Sequence, residues 1–170
     1  MPRRFVHRHH PPACLPCWLK AGVGAGAAFF VMYLLGDATG ASMLVAPMGA
    51  SAVLIFGIPE SPMAQPAHVI GGHLVAALVA LAADHLLPGG PLTLAATVGG
   101  VIALVGILRL THPPAGATAM VVMMIHPGWE FALMPVTAGA VTLVVAAVLV
   151  HKLPPRTHTY PLPVGEGASG

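Results

Sequence analysis

Pro47 and Pro114 each sit inside an apolar segment, and that placement constrains this chain more than any other feature. Each opens the same short pattern, P-x-G-A-[S/T]-A: Pro47-Met48-Gly49-Ala50-Ser51-Ala52 and Pro114-Ala115-Gly116-Ala117-Thr118-Ala119. Each copy runs straight into a short apolar stretch, residues 53–58 after the first and 120–125 after the second. Proline removes a backbone donor and disfavours helix at the residue before it. Both segments are therefore expected to be broken: an extended lead-in, then a half-helix. The remaining chain reads as two halves built around these two starts.

Composition supplies the solvent. Hydrophobic residues make up 56% of the 170 and charged residues only 7%, with a mean hydropathy of +0.85. A soluble domain carries roughly a quarter charged residues, so polar groups could not cover this surface and the default solvent is lipid. One small membrane domain is the natural count. The net charge of +2, with the basic residues split between the two ends, gives no reason to expect a nucleic-acid partner.

Taken in order, residues 1–17 read as a cationic, His- and Pro-rich cytoplasmic tail. Arg3, Arg4 and Arg8 resemble a signal-peptide start, but no clean small-x-small site follows before Asp37, so a retained first helix is expected. Cys14 and Cys17, with His7, His9 and His10 upstream, form either a thiol or metal pair or simply the end of that tail. Residues 18–36 are the first span. Its Gly22 and Gly26 either admit a neighbouring helix closely or reflect the glycine content of membrane helices. Residues 42–58 hold the first break, 68–87 a full span, 92–108 the fourth apolar run, 115–125 the second short run and 132–150 the last span. Residues 153–170 are polar, rich in Pro and Gly, and read as a disordered tail.

The expected fold class is an all-α membrane protein, a helical bundle of two three-segment repeats, each with a short broken half-helix. With six crossings, the N-terminal tail, Arg109, Lys152 and Arg156 share one side while Asp37, Asp84 and Glu130 lie on the other, as the positive-inside rule asks. Three crossings per half make the repeats inverted, an arrangement common in transporters. Short segments that dip in and return would instead give four spans.

Broken helices persist in lipid only where protein or a watery cavity satisfies the freed backbone. Two half-helix N-termini meeting from opposite sides would offer free N–H groups and about half a positive charge each, an anion site made mainly of backbone amides. Pro47 and Pro114 suit the first helical position, and Met48, Gly49, Ala50, Ala115, Gly116 and Ala117 are the candidate donors. Gly49 and Gly116 allow close approach, and Ser51 and Thr118 add hydroxyls. Arg109 is either a charge beside the break or an anchor snorkelling at a helix end. His112, held extended by Pro113, either donates to an anion or carries a proton, or else caps neighbouring backbone. His73 either lines the pathway or packs between helices. Glu60 and Gln65 read as loop residues, and Met120, Met123, Met124 and Met134 as apolar filler. No catalytic set, metal site or cofactor is expected.

The motifs T-H-P-P-A-G-A-T-A at 111–119, P-M-G-A-S-A-V-L-I-F-G at 47–57, P-E-S-P-M-A-Q-P at 59–66 and I-G-G-H-L at 70–74 resemble the HPP family of integral membrane proteins. The resemblance covers about residues 18–150, which places an HPP-type transmembrane domain at 18–152. It implies a membrane protein usually described with four spanning helices. Plastid and cyanobacterial members are implicated in nitrite transport, and most bacterial members are presumed transporters. Two features depart from the family: Ala67 and His68 stand where a basic residue and an asparagine often follow Gln-Pro, and the chain has no room for the CBS domains some members carry. The resemblance thus implies a bacterial inner-membrane transporter or channel for a small monovalent anion, with nitrite as its candidate, in contact with lipid and associating with its own copies. Two rivals stand beside it. One is a metal-dependent membrane enzyme using His73, His85, His112 and His126; the other is an assembly or sensor subunit with Cys14 and Cys17 as its sensing part.

Overall fold

A computed structural model describes residues 14–163. Among the described residues there are six α-helices and no strand: α1 Leu15–Thr39, α2 Ala46–Gly57, α3 Pro66–Leu86, α4 Pro91–Ile107, α5 Pro113–Ile125 and α6 Ala138–His151. Proline lies in the first turn of α1 through α5, where its missing N–H costs nothing and its fixed φ suits the helix. A 3-10 turn at Pro62–Ala64 precedes α3. α1 ends at Gly40, whose φ of 71° closes the helix in the left-handed region.

Side-chain contacts fix the course of the chain between two ends of the bundle. At one end, Trp18 and Lys20 of α1 lie against Gly57 of α2 and the segment after α6, and His112 at the start of α5 meets Met63 just before α3. This is the terminal end. At the far end, Asp84 and His85 of α3 meet His126 and Trp129 after α5, and Gly139 of α6 lies against Met43 before α2. The six helices thus run alternately between the ends, and the two short helices α2 and α5 pack antiparallel rather than folding back as hairpins. With 12 and 13 residues they are only about 18–20 Å long, well short of a hydrocarbon core of about 30 Å. α1, α3 and the segment Trp129–His151 are long and apolar enough to cross a membrane. α3 is central, burying Val69, Gly72, His73, Ala76, Ala77, Ala80 and Leu81, whereas α4 buries only Thr97, Val101 and Val105.

Three local expectations meet different outcomes. The close approach to α1 occurs at Gly24, where an added Cβ would lie 2.8 Å from Val150 and 3.2 Å from Phe56, while Gly22 and Gly26 face open space. The last span is not one regular helix. Met134 is extended (φ −129°, ψ 113°) and breaks the turns of Trp129–Thr137 that lead into α6, because Pro135 disfavours helix at the residue before it. Cys14 and Cys17 are joined in a disulfide at the head of α1; His7, His9, His10 and the arginines at 3, 4 and 8 lie outside the described residues.

The polar tail behaves differently from its composition. Residues 153–163 run back over the terminal end, held by Lys20, which donates to the carbonyls of Leu153 (3.0 Å) and Arg156, and by the Leu162 N–H on Gln65 Oε1 (2.9 Å). Tyr160 is buried and donates to the Ala64 carbonyl at 2.9 Å, and His158 pairs with Glu60. One aromatic ring and a few backbone bonds thus anchor a segment that hydropathy alone leaves solvated; residues 164–170 lie outside the described residues. Partial burial pushes the Glu60 carboxyl up, but its own backbone amide, His158 and Arg156 outweigh that and hold it below the ordinary 4.5. A depressed carboxyl contributes fully above its unfolded value and loses that contribution as pH falls through the folded one. Hydrogen exchange in residues 156–162 should therefore speed up below about pH 4 and not in a Glu60→Gln variant, which is already loosened at neutral pH. Protection indifferent to both changes would remove Glu60 from the clasp.

Candidate functional site

The two half-helices cross beside α3, and one buried polar cluster occupies the crossing. Ser51 of α2 and Thr118 of α5 hold the same place in the two copies of the short pattern, and both face His73 of α3. Ser51 Oγ lies 2.7 Å from His73 Nε2, and Thr118 Oγ1 lies 2.7 Å from His73 Nδ1. Ser51 Oγ is also 2.8 Å from His112 Nε2, and His112 Nδ1 is 2.8 Å from the Met63 carbonyl. The two imidazoles meet edge-on, ring centres 4.9 Å apart. All four side chains are at most 1% exposed.

Local sequence explains each placement. His112 is the extended residue capping α5 (φ −136°, ψ 105°), forced out of helix by Pro113, so its ring swings across the end of α5 to Ser51. Met63 presents its carbonyl from the 3-10 turn that the Ser61 hydroxyl caps. His73 reaches both short helices because Gly72 lets α3 come close: a Cβ there would sit 2.9 Å from the Leu110 carbonyl oxygen and 3.0 Å from His112 Cβ. His68 adds a second tie, its Nδ1 donating to the Thr111 carbonyl at 3.1 Å.

Protons in the cluster follow from its end points. A carbonyl only accepts, so His112 Nδ1–H donates to Met63, and in the neutral ring Nε2 must accept. The Ser51 hydroxyl supplies that proton. Its oxygen then accepts from His73 Nε2–H, and His73 Nδ1 accepts from the Thr118 hydroxyl. With both rings neutral, every donor points one way, from Thr118 through His73, Ser51 and His112 to Met63. Buried polar groups are costly unless paired, and here each pairs with the next.

Of the residues expected at the site, Ser51, His73, His112 and Thr118 come together. Pro47 and Pro114 are buried beside them, and the Pro47 carbonyl lies 3.1 Å from Ser51 Oγ. Gly49, Ala50, Pro113 and Ala117 are exposed on the outer faces of the half-helices, and Gly116 is half-buried, with Ile102 3.9 Å from the position of an added Cβ. Two candidate donors are spent: the Met48 and Ala115 N–H groups bond the Val45 and His112 carbonyls, each at 2.9 Å. Arg109 does not join the cluster. It is exposed at the end of α4 in the left-handed region (φ 57°), where a long basic side chain suits an anchor. The four histidines of the metal reading do not converge, since His85 stacks on Trp129 and His126 pairs with Asp84 at the far end. Among the described residues no three His, Cys, Asp or Glu side chains are grouped to hold a metal. Sequence reasoning missed Gly72 and Met63. The pair Gly71-Gly72 before His73 was a readable signal for the first; a backbone carbonyl leaves none for the second.

An apolar-surfaced, all-helical chain with two broken helices meeting at a buried polar cluster defines a multi-pass membrane protein. Comparison gives the family: the profile of the HPP transmembrane region matches residues 7–161, and the chain belongs to the HPP family. Two relatives from Dictyostelium discoideum, both named only as transmembrane proteins, are 31% and 30% identical over 153 residues. Those matches cover 85% of this chain but 53% and 49% of the relatives, so the chain spans about half their length. No solved structure matches the chain.

Proposed function

We propose that this protein moves a small monovalent anion, with nitrite the first candidate, across a bacterial inner membrane, and that it is not an enzyme. The observation that carries the reading is the antiparallel crossing of α2 and α5 with Ser51, His73, His112 and Thr118 buried between them. Broken helices meeting at mid-bundle are how transporters build a site for a charged solute inside lipid, and a buried polar cluster in an apolar bundle marks a functional path. The two half-helices would then be related as inverted repeats. The site would draw on the N-terminal turns at Pro47–Ser51 and Pro114–Thr118, with His112 as the side chain nearest the second. The glycines at 49 and 116 support approach of a solute to these turns, because an added Cβ meets nothing within 4 Å at the first and only Ile102 at 3.9 Å at the second. Their outward placement fits a second copy of the chain completing the path. Both termini would face the cytoplasm, with Lys20, Arg109 and Arg156 on that side.

Nitrite uptake into proteoliposomes tests this. The parent should show saturable flux, lost in Gly116→Leu, which puts a large side chain on the first turn of α5 at a position where an added Cβ meets only Ile102, and lost in His112→Ala. Retained folding of Gly116→Leu by size-exclusion makes that loss specific. Parent flux equal to empty liposomes would remove nitrite, and full flux in Gly116→Leu would remove the first turn of α5 from the path.

A further inference from the structure

We infer that the chain Thr118–His73–Ser51–His112 is a proton relay, and that transport by this protein is coupled to proton movement toward the terminal end; this rests on the transport reading above. Three hydrogen bonds of 2.7, 2.7 and 2.8 Å link the four side chains in series, and a fourth of 2.8 Å ties the last to Met63. Each lies within the ordinary hydrogen-bond range. A structural cluster could point its donors in any order that satisfied them. With both rings neutral, the Met63 carbonyl sets one order along the chain, with the Pro47 carbonyl a second acceptor within reach of the Ser51 hydroxyl; His73, Ser51 and His112 each donate and accept, and Thr118 donates at the head of the chain. The members come from three helices, so the path runs across the bundle rather than along one helix.

The steps balance. A hydronium reaching the Thr118 hydroxyl gives it a proton, and Thr118 passes its own to His73 Nδ1. His73 passes the Nε2 proton to Ser51 Oγ, and Ser51 passes its proton to His112 Nε2. Thr118, His73 and Ser51 each end with the proton count they began with, and His112 becomes an imidazolium holding the single added charge. When its Nδ1 proton leaves to water at the terminal end, the bare nitrogen faces the Met63 oxygen. Two acceptors in contact repel, so proton release pushes the Pro62–Ala64 turn away from α5 and links proton passage to opening. The other ionisable groups nearby are few. His68 lies five residues before His73 on α3 and faces the Thr111 carbonyl, whereas Glu60 pairs with His158 and Asp84 with His126, away from the cluster.

The test uses proteoliposomes of the full chain holding a pH-sensitive dye, with nitrite flux followed in parallel. In the parent, an imposed nitrite gradient should drive a pH change beyond that of protein-free liposomes. Ser51→Ala, which removes the link between the two rings, should abolish it, and Ser51→Thr, which restores a hydroxyl, should recover it. Nitrite flux with no pH change, or a pH change undiminished in Ser51→Ala, overturns the relay and leaves the transport reading intact. A pH gradient dissipated by the parent without nitrite flux supports the relay while removing nitrite. Neither flux in folded parent protein overturns both. Should Ser51→Ala fail to fold, the parent's own proton movement and its loss in His73→Gln decide the matter.

Discussion

Gly72→Ala should destabilise the protein by about 1–3 kcal/mol, the cost of forcing a methyl into a packed contact, whereas Gly99→Ala should leave stability unchanged or raise it by up to about 1 kcal/mol. The added Cβ at 72 would stand 2.9 Å from the Leu110 carbonyl oxygen and 3.0 Å from His112 Cβ, and neither neighbour is a flexible side-chain end. Relief requires moving α3 away from the segment before α5, which also pulls His73 from Thr118. At Gly99 nothing lies within 4 Å, so the methyl costs no packing and gains helix propensity. Thermal unfolding of the two purified variants followed by size-exclusion separates the cases. Equal responses would mean that α3 and the second break do not pack as described.

The second large effect concerns the cluster as a unit. His73→Leu takes partners from Ser51 and Thr118, and His112→Leu takes them from Ser51 and Met63. Each leaves buried polar atoms short of a partner, which costs about 1–3 kcal/mol. The double variant should cost clearly less than the sum, because once one ring is gone the order of donors that the other depended on is already broken. A double-mutant cycle on unfolding free energies reads this directly. Additivity within about 0.5 kcal/mol would make the two histidines independent packing residues and take away the unit on which the relay rests.

The sequence by itself determined the solvent, the segments and the breaks. A chain with 7% charge and apolar runs separated by proline has few solutions other than helices in lipid. Proline in the first turn placed the starts of α2 and α5 to within a residue of expectation. The repeated pattern also singled out Ser51 and Thr118 before any contact was known. Tertiary structure decided what these residues do. Half-helix ends read along the chain looked like open amide donors, but in the fold Met48 and Ala115 spend their N–H groups on the preceding turn, and Gly49, Ala50 and Ala117 face outward. Side-chain direction, which a repeat pattern does not encode, turned the hydroxyls inward instead. His73 lies between the two copies of the short pattern in sequence, so only the packing of α3 against both short helices, allowed by a glycine at 72, could make it the bridge. Arg109 and the tail show the same limit. Local chemistry offered each two roles, and the choice came from distant partners: none drew Arg109 into the cluster, while Ala64, Gln65 and Lys20 held residues 153–163 against the terminal end.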